Sequence, residues 1–145
     1  MVFDMEVITK SARETEELGQ KLAVSLKKGK IIGLYGELGS GKTTFVKGLA
    51  KGLGIKERIV SPTFVFIRPY ACRQTKGSFY HVDLYRLEGS QDAQGLGLEE
   101  IFAERKAIVV IEWAGKIKGI LPKKRIDIFF EYHKENERKV IIKRE

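Results

Sequence analysis

The sequence predicts an α/β fold: one domain over residues 1–145, with a mixed, partly parallel sheet flanked by helices. Three observations lead there. A chain of 145 residues is the size of one ordinary domain, and 43% hydrophobic residues are enough for a proper core. Short apolar runs alternate with helical patterns in the first half, the order that builds parallel strands. In the second half, alternating runs are joined by polar turns, the order that builds hairpins.

Each element has a local reason. Residues 3–9 alternate loosely and read as a strand. Ser11 stands three positions before Glu14, a capping-box start for a helix. Leu18, Leu22 and Leu26 then share one helical face, and Gly29 is the expected stop. Residues 31–35 (IIGLY) form a short buried-strand pattern, followed by a glycine-rich turn over 36–41. A helix is expected over 43–53, with Phe45, Leu49 and Leu53 on one face and Gly54 ending it. Pro62 makes Ser61-Pro62-Thr63 a loop. Residues 63–70 and 79–83 read as a hairpin about a polar turn at 73–78, and 88–97 as a loop. A short helix over 98–105, a buried strand over 107–112 (AIVVIE) and a connector over 116–122 follow. Residues 125–132 and 139–143 form a terminal hairpin about the turn 134–138.

Composition narrows the function. There are 27 Lys and Arg against 19 Asp and Glu, a net charge of +8, which favours an anionic partner. The excess is uneven. Residues 31–70 carry 6 basic and 2 acidic groups, and residues 111–145 carry 10 and 6. The first excess surrounds the glycine-rich turn. The second includes Lys116, Lys118, Lys123, Lys124 and Arg125, and reads either as a solvated face or as a contact for RNA or an acidic protein. No apolar run approaches the ~20 residues that span a bilayer. Asp4 and Glu6 near the start do not suit a secretory signal. Cys72 is the only cysteine, and His81 and His133 the only histidines, which excludes an intrachain disulfide and a Cys- or His-rich metal cluster. The expected location is the cytoplasm, with neither membrane nor DNA as partner.

Residues 36–43, GELGSGKT, fit G-x-x-x-x-G-K-[ST] between a strand and a helix, the setting a phosphate-binding P-loop requires. Gly36, Gly39 and Gly41 let the backbone of the loop, with Glu37, Leu38 and Ser40, turn its N–H groups inward as an anion nest, and Thr44 continues the helix start. The helix N-terminus adds its positive dipole end. Lys42 supplies a charge to the β- and γ-phosphates, and the Thr43 hydroxyl suits Mg²⁺. The Asn-Lys-x-Asp motif expected of a GTPase does not occur.

Glu112 ends the 107–112 strand where a Walker-B acid would stand, holding Mg²⁺ or orienting water. Asp83 ends another strand and is the second metal candidate. Glu112 also has the plainer reading of an ordinary strand-end carboxylate, and Asp83 that of a turn residue or a partner to Arg86. Thr63 reads as a γ-phosphate sensor or as a turn hydroxyl. His81 alternates with Asp83 and reads as a hydrogen-bonded structural histidine or a proton relay. Tyr85 and Arg86 read as packing and pairing residues. Trp113 stands near the nucleotide, at a partner surface, or in the core.

Taken in order, GELGSGKTT (36–44), SPTF (61–64), FYHVDLYRLE (79–88), LGLEEIF (96–102) and VIEWA (110–114) resemble the TsaE (YjeE) family along almost the whole chain. The H-x-D-x-Y-R run from His81 to Arg86, followed by I-E-W at 111–113, is far more specific than the P-loop alone. The resemblance implies a small bacterial P-loop ATPase needed for threonylcarbamoyladenosine formation in tRNA. It implies ATP with Mg²⁺, slow hydrolysis by the chain alone, and work with TsaB and TsaD, where TsaD transfers the threonylcarbamoyl group. Hydrolysis would reset that complex between turnovers, with tRNA contact direct or indirect. By position, Lys42 and Thr43 would serve phosphates and metal, Glu112 and Asp83 metal and hydrolysis, and Thr63 a switch-like segment. Ser11 would stand beside the base. Two other classes fit the same residues: a small-molecule kinase, and a tRNA-binding module with structural nucleotide.

Overall fold

The computed structural model describes residues 3–26, 30–60 and 66–144. Seven strands form one sheet: β1 (Phe3–Thr9), β2 (Lys30–Tyr35), β3 (Ile67–Cys72), β4 (Gly77–Asp83), β5 (Ile108–Glu112), β6 (Ile126–Lys134) and β7 (Glu137–Arg144). Their order is β1-β7-β6-β2-β5-β4-β3. The inner four, β6-β2-β5-β4, run parallel, and antiparallel pairs close both sides. The expected mixed sheet with flanking helices is present. The two central strands, β2 and β5, are mostly apolar because both faces are covered; every residue of β5 is buried, its terminal Glu112 included. Pro69 sits in β3 at the sheet edge, where the missing N–H costs no ladder bond.

Helices α1 (Ala12–Ser25) and α2 (Lys42–Gly52) cover one face, over a core that includes Phe45, Leu49, Phe79, Val110 and Ile128. They cross closely because glycine lines the contact. A Cβ on Gly19 would stand 2.5 Å from the Phe45 carbonyl, and one on Gly48 would fall onto the Glu16 carbonyl. On the other face α3 (Leu98–Phe102) and two 3₁₀ turns pack over Val82, Val109, Ile111 and Leu121. Among the described residues, no helix is long and apolar enough to cross a membrane.

Several boundaries differ from expectation. Residues 88–97, read as a loop, contain a 3₁₀ helix at Ser90–Leu96, and the 116–122 connector overlaps another at Ala114–Ile117. Short 3₁₀ turns have no sequence period strong enough to separate them from Gly- and Ser-rich loop. The helix expected over 98–105 stops at Phe102. The polar turns are tighter too. β3 and β4 extend to Cys72 and from Gly77, and Lys76 takes a left-handed φ of 58° between them. The terminal turn shrinks to Glu135 and Asn136, with Asn136 at φ 62°. Gly29 as helix stop, and Thr63 with the SPT loop and the first residues of the 63–70 strand, lie outside the described residues.

Candidate nucleotide site

Sheet direction decides where the site lies. β2, β4, β5 and β6 all end on the same edge, the carboxyl edge at which α/β sheets take ligands. β1 is antiparallel to β7, and β7 to β6, so β1 ends there as well. Five sequence-distant segments therefore meet around a cavity of about 560 Å³.

The floor is the glycine-rich loop between β2 and α2. Gly39 and Gly41 take φ values of 77° and 110°, conformations that a side chain would strain. Gly41 is the N-cap of α2 and offers no side-chain cap, so the first-turn amides face the cavity side as an anion-binding end. Leu38, Gly39, Gly41, Lys42, Thr43 and Thr44 line the cavity. Gly36, Glu37 and Ser40, also expected at the site, do not line it. They stand behind and hold Lys42, whose Nζ donates to the Gly36 carbonyl at 2.6 Å, the Glu37 carbonyl at 2.8 Å and the Ser40 hydroxyl at 3.4 Å.

Lys42 is buried and lies 4.3 Å from the Trp113 ring centroid, a cation–π distance. Burial pulls its ammonium below the usual lysine range, and Glu112, Asp83 and Glu37 pull the other way. Trp113 has a φ of 63°, uncommon for a residue with a side chain, and this sharp turn after β5 brings its ring to the cavity beside Tyr85.

The carboxylates come from neighbouring strand ends. Asp83 and Glu112 are direct partners in the β4–β5 register. Glu112 is buried, and its Oε1 accepts the Thr43 hydroxyl at 2.9 Å. Its Oε2 lies 2.6 Å from Nε2 of His81, which is fully buried. Asp83 accepts the Tyr85 amide at 3.0 Å. Burial raises the Asp83 carboxyl above the usual carboxylate range, and the charge of Glu112 raises it further.

One rim comes from α1. Ser11 caps it by accepting the Glu14 amide at 3.1 Å, and lines the cavity with Lys10 and Thr15. The register pair Thr9–Arg138 brings that rim beside the β6–β7 turn. Asn136 and Arg138 complete it, and the Tyr132 hydroxyl and the Arg138 guanidinium donate to the Gly39 carbonyl at 3.3 and 3.4 Å. Ser11, Lys42, Thr43, Asp83, Glu112 and Trp113 thus converge on one cavity. Lys10, Thr15, Tyr85, Asn136 and Arg138 join them without having been expected. Only the cluster of charge in the terminal hairpin hinted at Arg138, and nothing local marked Asn136.

The donor set fits Mg²⁺. Thr43 and the two carboxylates are hard oxygen ligands. Among the described residues no group of three His, Cys, Asp or Glu forms a closed metal cage. An ion that takes one or two carboxylates and completes its shell with phosphate and water matches that arrangement.

Comparison with known proteins points to one family. The family model described as "Threonylcarbamoyl adenosine biosynthesis protein TsaE" matches residues 9–140. The tRNA threonylcarbamoyladenosine biosynthesis protein TsaE of Bacillus subtilis (strain 168) is 37% identical over 132 residues, 91% of this chain and 80% of that protein. The protein of the same description from Treponema pallidum (strain Nichols) is 36% identical over 138 residues, covering 95% and 99%. The crystal structure of YdiB from Bacillus subtilis superposes with a TM-score of 0.81 at 34% identity, covering 99% of this chain and 87% of that one.

Proposed function

The chain belongs to the TsaE family of threonylcarbamoyl adenosine biosynthesis proteins, and on that premise we propose that it binds and hydrolyses ATP to reset a TsaB–TsaD complex between rounds of tRNA modification. One observation carries the reading. A P-loop lysine, a threonine bonded to a buried carboxylate at 2.9 Å, and a second carboxylate in register with the first face one cavity. That set suits a nucleoside triphosphate with a divalent cation.

The mechanism assigns a task to each group. The α2 N-terminus and the loop amides bind the phosphates, and Lys42 neutralises charge that develops on them. Lys42 reaches the site already ordered by two carbonyls, so little rotamer freedom is lost on binding. Thr43 and Glu112 would hold Mg²⁺, which would supply charge neutralisation to the phosphates when bound. Asp83, its carboxyl raised by burial and by Glu112, is suited to orient the attacking water and take its proton. Ser11, Asn136 and Arg138, from the start of α1 and the β6–β7 hairpin, line a rim against which the base would lie. The threonylcarbamoyl transfer belongs to TsaD in this reading.

Reconstitution with TsaB and TsaD tests it. Multiple rounds of tRNA modification should require this chain and hydrolysable ATP, with phosphate released to water and no phosphorylated acceptor. Equal multi-turnover output without the chain refutes the proposal.

A further inference from the structure

We propose that His81 is a positioning residue for Glu112, fixing one carboxylate oxygen from below so that the other is presented to Thr43 and to the divalent cation. The inference rests on the ATPase reading above and assigns a role to a side chain that does not line the cavity.

The geometry is a chain of three groups. Thr43 donates from the first turn of α2 to Glu112 Oε1 at 2.9 Å. Glu112 Oε2 lies 2.6 Å from His81 Nε2. A carboxylate only accepts, so the proton of that bond sits on Nε2. His81 reaches Glu112 diagonally, because its register partner on β5 is Val110 while Glu112 faces Asp83. The ring is fully buried; Phe79, two residues before it on β4, and Val110, its register partner, belong to the core under α1 and α2.

The bond is also single-purpose. Among the described residues His81 Nδ1 has no hydrogen-bond partner. A histidine kept only for packing would cost less as an apolar residue, since a buried polar atom without a partner is unfavourable. The one polar function that remains is its grip on Glu112. Without it, Oε2 would be a buried acceptor with nothing to hold it, and the carboxylate could rotate away from Thr43. Carboxylates that ligate metal are commonly fixed in this way by an outer partner, whose loss weakens metal affinity about 10- to 100-fold.

The test measures metal binding rather than turnover. ADP affinity is measured in EDTA, and Mn²⁺ affinity of the protein–ADP complex is followed through the paramagnetic resonance of free Mn²⁺. His81→Phe keeps the ring volume and removes the donor. His81→Gln keeps an N–H donor in reach of Oε2 and guards against loss of the fold in the first variant. His81→Phe should weaken Mn²⁺ binding about tenfold or more, leave ADP affinity in EDTA within twofold, and be largely rescued in His81→Gln. In a Glu112→Gln background, His81→Phe should cause no further loss, because His81 acts only through that carboxylate. Mn²⁺ affinity of His81→Phe within twofold of the wild type overturns the assignment, as does an equal loss in the Glu112→Gln background. If the wild type itself binds no ADP, the nucleotide-site reading fails, and this inference with it.

Discussion

Replacing Lys42 with alanine isolates the charge that the loop offers to phosphate. In the wild type the ammonium is held at 2.6 and 2.8 Å by the Gly36 and Glu37 carbonyls, under the Trp113 ring. A free lysine loses up to about 2 kcal/mol of rotamer freedom on being fixed. Here that loss occurs on folding, and a phosphate need displace only the longest of the three existing bonds, the one to the Ser40 hydroxyl at 3.4 Å. A charge-assisted bond to the phosphate contributes about 1.5–3 kcal/mol, which is roughly a 10- to 150-fold change in Kd. Calorimetric titration of ADP into Lys42→Ala at 25 °C should show that loss. AMP, which lacks the β- and γ-phosphates, should bind both proteins alike. A melting curve confirms that the variant is folded. An ADP affinity within twofold of the wild type, or an equal loss for AMP, would remove Lys42 from the phosphate site and with it the orientation proposed for the nucleotide.

Three further outcomes follow from the same geometry. Glu112→Gln keeps an acceptor for Thr43 but removes the charge; it should retain ADP in EDTA and lose about 100-fold or more of phosphate release with partners present. Full release would rule out Glu112 as the metal-site acid. Asp83→Asn should stabilise the protein. The native carboxyl is held above its ordinary value, so folding becomes less favourable as pH rises from that ordinary value through the raised one. The variant's advantage should be absent below pH ~4 and reach about 2 °C in Tm at pH 7, a small figure because the group is partly solvated; an advantage that grows as pH falls would contradict the assigned sign. Gly48→Ala drives a methyl onto the Glu16 carbonyl. Overpacking of that kind should cost about 2–3 kcal/mol and lower Tm by roughly 10 °C, whereas an unchanged Tm would show that α1 and α2 separate freely.

Legibility of the site tracks sequence distance. The P-loop was readable because strand, glycines, lysine and helix are contiguous, and the chemistry of the loop is its own backbone. Asp83 and Glu112 were readable one by one as strand ends. Their pairing was not, since nothing local states that β4 and β5 are neighbours in register. Arg138 and Asn136 reach the cavity only because β7 lies between β1 and β6. From the sequence His81 reads as a structural histidine or a relay. The distance to Glu112 gives it a specific partner, which alternation with Asp83 along one strand could not reveal. Trp113 resolved toward the cavity through a left-handed backbone turn that no propensity favours at tryptophan.

The placement of β2 between β5 and β6 has a dynamic consequence. Its ladder is bonded on both sides and its Ile31, Ile32 and Leu34 are buried, so its amides should exchange with solvent only when the whole molecule opens. The loop that would hold the phosphates springs directly from this slowest-exchanging unit. The rim at Ser11, Asn136 and Arg138 belongs instead to a helix start and a hairpin end, which fray at small free energies. The cavity therefore has a floor and a rim that open on different clocks. A ligand seated there would lose contact with the rim many times before the loop yields.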